Sequence, residues 1–376
     1  MHRPVAALVA LAVVLGACTA GPGTSTSPVP TTTPDIRRTK LDITYSSLAE
    51  NDVHAVSSKK LLDAGLDAVI IEVRNIGGDF EVERPEFEDV AEPTFPDFRE
   101  WAEAVSSLAA KNPQLSADRI ADAAIIGMIR ATPDCHTYYV DRSGAAHRSR
   151  EQVRSGVSNP TPPDGTPLKA EPDQAGLQSR MLADGIVWIR FTEFLITGTY
   201  DIREEVRKVL DQGLAAGARA WLFDLRGNIG GNGAEFMASW FLDGEDVMHV
   251  MLRTGSAGTA SGNRDLRLAA EYQLPIAVIL NERGGSGPEV FALFMKEAER
   301  GTIVGRQSVG CLGATSITNM ADGSFIAVTV QEFVGARTGT EYNNDGIPPD
   351  IEAADEEAIA VAMDHLRSEL ASGRAP

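Results

Sequence analysis

The second half of the chain alternates short apolar runs with helical patterns, and this alternation restricts the fold more than any other feature. Residues 186–193, 219–225 and 274–281 are apolar and rich in β-branched residues, as buried strands are. Residues 200–216 place apolar side chains at helical spacing between the first two runs. Strands that alternate with helices form a largely parallel sheet. The pattern therefore predicts an α/β core over residues 186–367.

The first half of the chain is predicted to be helical. Apolar side chains recur at helical spacing in residues 55–76, 97–111 and 116–131, which is typical of amphipathic helices. Pro133 ends the last of these patterns, because proline cannot continue a helix. We therefore expect a helical subdomain over residues 41–140.

Two further segments lack a clear periodicity. Residues 141–185 are polar and rich in Pro, Gly and charge, with few apolar anchors, so we predict a loop or a reduced insert there. Residues 368–376, after the core, are predicted to be a tail.

The N-terminus is typical of a targeting signal. Residues 4–17 are an apolar run after Arg3, too short to span a bilayer but suited to the core of a signal peptide. The run ends in L-G-A-C, which resembles the lipobox of bacterial lipoproteins. That resemblance implies cleavage after residues 1–17 and a diacylglycerol on the thiol of Cys18. An ordinary secretory signal with an incidental cysteine is the alternative.

Residues 18–40 contain a stretch dominated by Thr, Pro, Ser and Gly, which predicts a flexible tether after the acylated cysteine. We expect an exported protein that the lipid on Cys18 holds at the cell membrane, facing the periplasm or the cell exterior.

Composition excludes several classes of protein. Hydrophobic residues make up 43% of the chain and charged residues 23%, which argues against wholesale disorder and against a multi-span membrane protein. The 34 Lys and Arg residues face 53 Asp and Glu residues, for a net charge of −19. Such a chain repels a phosphate backbone, so nucleic acid is not an expected partner.

Two glycine-rich turns each join a predicted strand to a helix. The first runs from Asp224 to Gly233 (DLRGNIGGNG) and exposes backbone N–H groups that suit a phosphate or a developing oxyanion. The second surrounds Ser286 (NERGGSGPE). A serine there is often only a helix N-cap, but its glycine neighbours allow a substrate to approach closely. His136, in the segment D-C-H-T, is the third feature, although a lone histidine is more often structural.

The order of these motifs resembles the tail-specific, or C-terminal processing, serine peptidase family, and more closely its tricorn-type branch. The motifs are D-C-H-T, D-L-R-G-N-x-G-G, N-x-x-x-x-S-x-x-E and G-I-P-P-D. The resemblance implies an α/β core of the Clp protease/crotonase-like fold. It also implies that Ser286 is the nucleophile and that Gly287, with Gly230 or Gly231, supplies the backbone donors of an oxyanion hole.

The chain departs from this family at the general base. Cys311 stands where the processing peptidases carry a lysine, so the resemblance to the tricorn-type branch implies that His136 is the base. Cys135 then stands where a serine orients that histidine, and Glu341 or Asp345 is the candidate for an assisting acid. Cys311 is either inert apolar filler or the disulfide partner of Cys135, and export permits such a bond.

Substrate selection is predicted to differ from that of typical family members. Many of them carry a PDZ domain that binds the substrate's C-terminus, and residues 141–185 are too few for a complete one. We therefore do not assume tail specificity.

Two functions follow from the sequence. The first is a lipid-anchored serine peptidase that acts on protein or peptide substrates without a cofactor or a metal. The alternative is a catalytically degenerate member of the family that binds peptides or acts as a scaffold. An acyl-thioester enzyme on the same core is disfavoured, because an exported chain does not meet coenzyme A. The sequence leaves the oligomeric state open.

Overall fold

The computed structural model of the chain describes residues 39–149 and 160–373. The predicted signal peptide, Cys18 and most of the tether lie outside the described residues, as do the centre of the predicted insert and the end of the tail. None of the helices in the described ranges is both long and apolar enough to cross a bilayer.

Four helices form the N-terminal part of the molecule. They are α1 (Lys40–Asn51), α2 (Ser58–Asn75), α3 (Phe95–Lys111) and α4 (Ala117–Arg130). Serine side chains accept a backbone N–H at the start of α2 and α4, which satisfies one of the free donors of each helix end. Gly127 lets α4 pack closely on α2, because a Cβ at Gly127 would lie 2.3 Å from the carbonyl oxygen of Ala64.

The sequence patterns predicted three of these helices and missed α1. The buried face of α1 consists of Thr44, Tyr45, Ser46, Leu48 and Ala49. Because that face is partly polar, it lacks the apolar period by which amphipathic helices are recognised.

A seven-stranded sheet forms the core of the C-terminal part of the molecule. Its strands, from one edge to the other, are β13 (Ile351–Glu352), β10 (Thr302–Gly305), β9 (Ile276–Leu280), β6 (Ala220–Asp224), β5 (Ile186–Arg190), β4 (Gln178–Met181) and β3 (Thr166–Lys169). The first five are parallel, and β4 and β3 extend the sheet as antiparallel strands. The predicted α/β class with a largely parallel sheet is confirmed.

Helices cover both faces of this sheet. On one face lie α5 (Ile202–Ala215), α6 (Ala234–Ser239) and α7 (Gly287–Glu297), which share a large apolar core with the strands. On the other face, α8 (Ala358–Ser372) packs through Ala358, Ala362 and Leu366. Parallel strands buried in this way read as continuous apolar runs, which is why the sequence identified them.

A second sheet is antiparallel and was largely missed by the sequence patterns. It contains β1 (Tyr138–Val140), β2 (Ala146–Arg148), β7 (Asp246–Leu252), β8 (Gly255–Ser261), β11 (Gly313–Asn319) and β12 (Phe325–Gly335). The sequence predicts only two of these strands: the start of a strand at residues 137–140, which matches β1, and a longer strand over residues 323–334, which matches β12. The hairpin strand β8 (GSAGTAS) is mostly exposed and has no apolar alternation, so its backbone hydrogen bonds rather than its side chains define it.

The segment predicted as a loop or reduced insert also differs from that prediction. It contains the short strands β2, β3 and β4 at residues 146–148, 166–169 and 178–181. Each joins the edge of an existing sheet through backbone hydrogen bonds, which need no apolar side-chain pattern.

The two halves of the molecule meet at the second sheet. The helices pack on β1 and β12 through Tyr139, Ile326 and Val328. The far end of β12 pairs with β7, which contacts α7. The loop before β1, which carries His136, therefore lies where the helical part adjoins the part that contains the seven-stranded sheet.

Candidate active site

Ser286 lies in the turn between β9 and α7, at the carboxyl end of a parallel strand. Crevices at these strand ends are the usual binding sites of open α/β sheets. The Ser286 backbone has φ +70° and ψ −113°, a conformation that residues with a side chain rarely adopt and that costs about 1–3 kcal/mol. Strain of this kind persists where surrounding contacts enforce it, and it concentrates at functional sites.

Glu289 enforces the conformation of this turn. Its buried carboxylate accepts the Ser286 N–H at 2.8 Å, the Gly310 N–H at 2.6 Å, the Cys311 N–H at 2.8 Å and the Ser308 hydroxyl at 2.5 Å. Burial raises the pKa of Glu289, and these four hydrogen bonds oppose that rise. One side chain thus ties residues 308–311 to the turn under Ser286.

The glycine-rich turn after β6 lies directly against Ser286. A Cβ at Gly230 would lie 2.7 Å from the Ser286 Cβ, and a Cβ at Gly231 would lie 2.2 Å from the carbonyl oxygen of Phe194. Both glycines have positive φ, at +96° and +117°. This turn therefore requires glycine for two reasons: its backbone angles, and the lack of space for a side chain at both positions.

The structure distinguishes between the two candidate donors of this turn. The Gly230 N–H donates to Asn228 Oδ1 at 2.9 Å, so it does not face the cavity as a free donor. Within the described ranges, the N–H groups of Gly231 and Gly287 have no hydrogen-bond acceptor. Gly231 and Gly287 line the cavity beside Ser286, where two backbone donors suit a developing oxyanion.

An apolar cavity of about 330 Å³ opens beside Ser286. The strands β7, β8 and β12 and the helices α6 and α7 form its walls. Its apolar lining includes Met248, Val250, Ala260, Leu266, Phe294 and Phe333. A cavity of this size and character accommodates an apolar side chain next to the reacting group.

The loop that carries His136 is organised by Asp134. Asp134 Oδ1 accepts the backbone N–H groups of His136 at 2.7 Å and Thr137 at 2.9 Å, together with the Thr329 hydroxyl at 2.7 Å. Asp134 is fully buried, so the aspartate fixes the backbone on both sides of the imidazole and ties it to β12.

A disulfide between Cys135 and Cys311 joins this loop to the segment that contacts the turn of Ser286. The two Cα atoms are 5.8 Å apart. The Cys311 carbonyl also accepts the Ser286 N–H at 3.1 Å. The sequence left two interpretations of Cys311 open, an inert apolar residue or the disulfide partner of Cys135. The structure contains the disulfide. The bond connects the residue before His136 to the residue that holds the turn of Ser286.

His136 is close to the cavity but does not bond to Ser286. Its Nδ1 lies 3.9 Å from the position of a Cβ on Gly313, and Gly313 lines the cavity. Burial lowers the pKa of His136, the charge of Asp134 opposes this, and Arg148 lowers it further. A neutral imidazole is what a general base requires. No hydrogen bond joins its ring to Ser286 Oγ in the structure; such contacts often tighten only when substrate is bound.

The two candidates for an assisting acid lie at the surface. Glu341 and Asp345 are both exposed, and neither side chain forms a hydrogen bond to the His136 ring. The buried His136 Nδ1 has no hydrogen-bond partner among the described residues. The assignment of Glu341 or Asp345 as the assisting acid therefore stays a prediction.

One cluster in the described part of the chain brings metal-ligating side chains together. Asp52, His54 and Asp134 each offer one ligand atom within 4.8 Å of the other two. The distance of 3.1 Å between His54 Nδ1 and Asp52 Oδ1 is that of a hydrogen bond. The cluster is therefore held together by hydrogen bonding.

The sequence analysis assigned no role to three residues that shape this site. Glu289 had a visible signal, because serine followed three residues later by glutamate is the capping-box pattern. Asp134 was quoted only as part of a motif. Phe194 carried no signal, because its contacts with Gly231 and Gly287 arise from chain packing.

The core of this chain matches known peptidases. Residues 185–353 match the model of peptidase family S41. The carboxy-terminal processing protease CtpA of Bacillus subtilis (strain 168) is 26% identical over 178 residues, which are 46% of this chain and 36% of that protein. A carboxyl-terminal-processing protease of Synechocystis sp. is 27% identical over 169 residues, or 44% of this chain and 38% of that protein. The chain thus matches less than half the length of these relatives.

Solved structures share the fold. A candidate peptidase from Parabacteroides merdae has a TM-score of 0.50 at 15% identity, covering 72% of this chain and 89% of that one. A lipoprotein from Streptococcus agalactiae has a TM-score of 0.50 at 16% identity, covering 83% of this chain and 97% of that one. At these identities, the likeness concerns the fold alone.

Proposed function

Because residues 185–353 of this chain belong to peptidase family S41, we propose that the protein is a serine peptidase that cleaves peptide bonds by acyl transfer through Ser286. The observation that carries the proposal is the placement of Ser286. It has a strained backbone at the mouth of an apolar cavity, and beside it are the N–H groups of Gly231 and Gly287, which have no acceptor among the described residues.

His136 is the proposed general base. It takes the proton of Ser286 Oγ as that oxygen attacks the peptide carbonyl carbon, and the N–H groups of Gly231 and Gly287 stabilise the oxyanion. The imidazolium then protonates the leaving amine, which leaves an acyl-enzyme on Ser286. Water, deprotonated by the same imidazole, hydrolyses the ester and restores the serine.

The cavity favours substrates with an apolar side chain next to the scissile bond. Its walls are mostly aliphatic and aromatic, and its volume of about 330 Å³ exceeds that of a single alanine side chain. Burial of a larger apolar side chain there contributes about 1–3 kcal/mol to binding. We propose no tail specificity. The chain is predicted to lack a complete PDZ domain, which is the domain that usually binds a substrate's C-terminus in this family.

We further propose that the protein is exported and held at the membrane by lipid on Cys18. The disulfide between Cys135 and Cys311 supports this compartment, because such bonds persist outside the cytosol. A Cys18→Ser substitution is expected to move the protein from the membrane fraction to the soluble fraction. Retention of that variant in the membrane fraction would contradict the lipid anchor.

The test of the peptidase is covalent labelling of full-length protein with a fluorophosphonate, detected by intact mass. We expect one label on the wild type, located at Ser286 by peptide mapping, and none on Ser286→Ala. His136→Ala is expected to slow labelling by about 10²-fold or more. The control is Ser316→Ala, which removes an exposed hydroxyl on β11 and is expected to keep the label.

A degenerate, peptide-binding protein is the second candidate. The observation that favours it is the replacement of the family's lysine by Cys311, whose sulfur is committed to a disulfide. Such a protein binds peptides with an apolar residue but takes no label. Peptide binding without labelling, at a pH where His136 is neutral, would support this function over the peptidase.

A further inference from the structure

His54 lies in the short connection between α1 and α2, at the junction of three segments. Its side chain is 12% exposed. Nδ1 lies 3.1 Å from Asp52 Oδ1 and 3.5 Å from Asp134 Oδ2, and Nε2 lies 3.2 Å from Asn343 Nδ2. One imidazole thus contacts the helical part, the loop of His136 and the segment after β12.

The hydrogen bonds of Asn343 determine which tautomer of His54 fits. Asn343 Oδ1 accepts the Leu312 N–H at 3.0 Å, so the amide nitrogen of Asn343 faces His54. An amide nitrogen only donates, and Nε2 must therefore be the unprotonated acceptor. Nδ1 then carries the proton and donates a hydrogen bond to Asp52. Asp134 lies on the same side of the ring. The imidazole is a bridge with a fixed donor end and a fixed acceptor end.

Each end of this bridge leads to one member of the proposed catalytic pair. On the donor side, Asp134 accepts the backbone N–H of His136 at 2.7 Å. On the acceptor side, Asn343 holds Leu312, whose neighbour Cys311 accepts the Ser286 N–H through its carbonyl. His54 is therefore two contacts away from the backbone of the base and three contacts away from the backbone of the nucleophile.

Charged groups surround the imidazole on most sides. Burial lowers the pKa of His54, but the hydrogen bond to Asp52 and the charges of Asp52, Asp134 and Glu332 outweigh this and raise it overall. Glu332 Oε1 lies 3.9 Å from Nε2, and Arg253 bonds to the Asp52 carbonyl oxygen rather than to its carboxylate. In its neutral form, the imidazole is the hydrogen-bonding partner that Asp52 and Asp134 face through Nδ1.

From this geometry we infer that His54 is a positioning residue of the peptidase site: by bridging Asp134 and Asn343, it sets the loop of His136 against the loop that holds Ser286. The inference rests on the proposed function. It predicts that loss of the bridge misplaces the base relative to the nucleophile without changing the apolar cavity, so that the chemical step suffers and substrate binding does not.

Four variants of the full-length protein test this role. His54→Leu removes both ends of the bridge, His54→Asn is too short to span it, and His54→Gln supplies an amide that donates and accepts at similar reach. The control is His147→Leu. His147 is also a partly buried histidine bonded to an aspartate, Asp141, at 2.9 Å, but it lies on β2 outside the bridge.

The measurements are the fluorophosphonate labelling rate, kcat and KM for a peptide with an apolar residue before the scissile bond, and the melting temperature. His54→Leu and His54→Asn are expected to lower the labelling rate and kcat by about tenfold or more, since a misplacement of about 1 Å costs up to about 10²-fold. KM is expected to stay within about twofold. His54→Gln and His147→Leu are expected to stay within about threefold of the wild type in rate.

The outcomes separate this inference from the proposed function. A wild type that takes no label overturns the peptidase and, with it, the role of His54. Labelling of the wild type and of His54→Asn at equal rates overturns the positioning role alone. Equal losses in the Asn and Gln variants would also overturn it, because a general loss of stability, and not the bridge, would then explain both. If His54→Leu fails to fold, the Asn and Gln pair still decides the question.

Discussion

Reduction of the disulfide between Cys135 and Cys311 is expected to lower the free energy of unfolding by about 5 kcal/mol. The two cysteines are 176 residues apart in the sequence. Closing a loop of that length removes about 17 cal/mol/K of chain entropy from the unfolded state, which is about 5 kcal/mol at 25 °C. Single domains are typically stable by about 5–15 kcal/mol, so the reduced protein is expected to be marginal.

Reduction is also expected to lower activity beyond its effect on stability. Cys135 precedes His136, and the carbonyl of Cys311 accepts the Ser286 N–H. Without the bond, the loop of the base is joined to the loop of the nucleophile only by hydrogen bonds. We expect slower fluorophosphonate labelling of the reduced protein even at temperatures where it is fully folded.

The assay is urea unfolding followed by tryptophan fluorescence, with labelling rates measured in parallel. The oxidised wild type is compared with the reduced wild type and with the double variant Cys135→Ser/Cys311→Ser. Cys18→Ser, which leaves the bond intact, is the control and is expected to unfold at the same urea concentration as the wild type. A stability difference below about 1 kcal/mol, together with an unchanged labelling rate, would refute the reasoning.

Three further predictions concern the site itself. The labelling rate is expected to fall in acid with a midpoint below pH 6.5, because burial lowers the pKa of His136 and the protonated imidazole is not a base; a midpoint above 6.5 in a pH titration of the rate would contradict this. Gly231→Ala places a Cβ 2.2 Å from the Phe194 carbonyl oxygen and is expected to cut the labelling rate by about 10²-fold, whereas Gly217→Ala, at a positive φ with open space around it, is expected to change stability only. Ala260→Phe fills part of the cavity, so kcat/KM is expected to fall by about tenfold for peptides with leucine before the scissile bond and to change little for alanine; an equal loss for both peptides would show that the cavity does not bind this side chain.

Much of the α/β core was predictable from local sequence. The parallel strands β5, β6 and β9 are buried on both faces and therefore appear as continuous apolar runs. Helices with an apolar stripe, such as α2 and α4, were equally visible. Elements held mainly by backbone hydrogen bonds, such as β8, were not, because no side-chain period records them.

The candidate site divides along the same line. The glycine-rich turn around Ser286 follows from turn chemistry, which is local, because a residue at positive φ between a strand and a helix calls for glycine or tolerates strain. The role of Ser286 came from the resemblance to the peptidase family. The choice of Gly231 over Gly230 as a free donor did not follow, because it depends on Asn228 accepting the Gly230 N–H.

By itself, then, the sequence determined the class of fold and the strand-to-helix turns, because each is a property of a few adjacent residues. Its resemblance to a known peptidase family, carried by the order of several motifs, implied Ser286 and His136 as the candidate nucleophile and base. Tertiary structure alone decided the pairing of Cys135 with Cys311, the cavity beside Ser286 and the bridge at His54. Each of these joins segments far apart along the chain. Contacts of that kind depend on how sheets and helices pack in three dimensions, and no local pattern of residues encodes them.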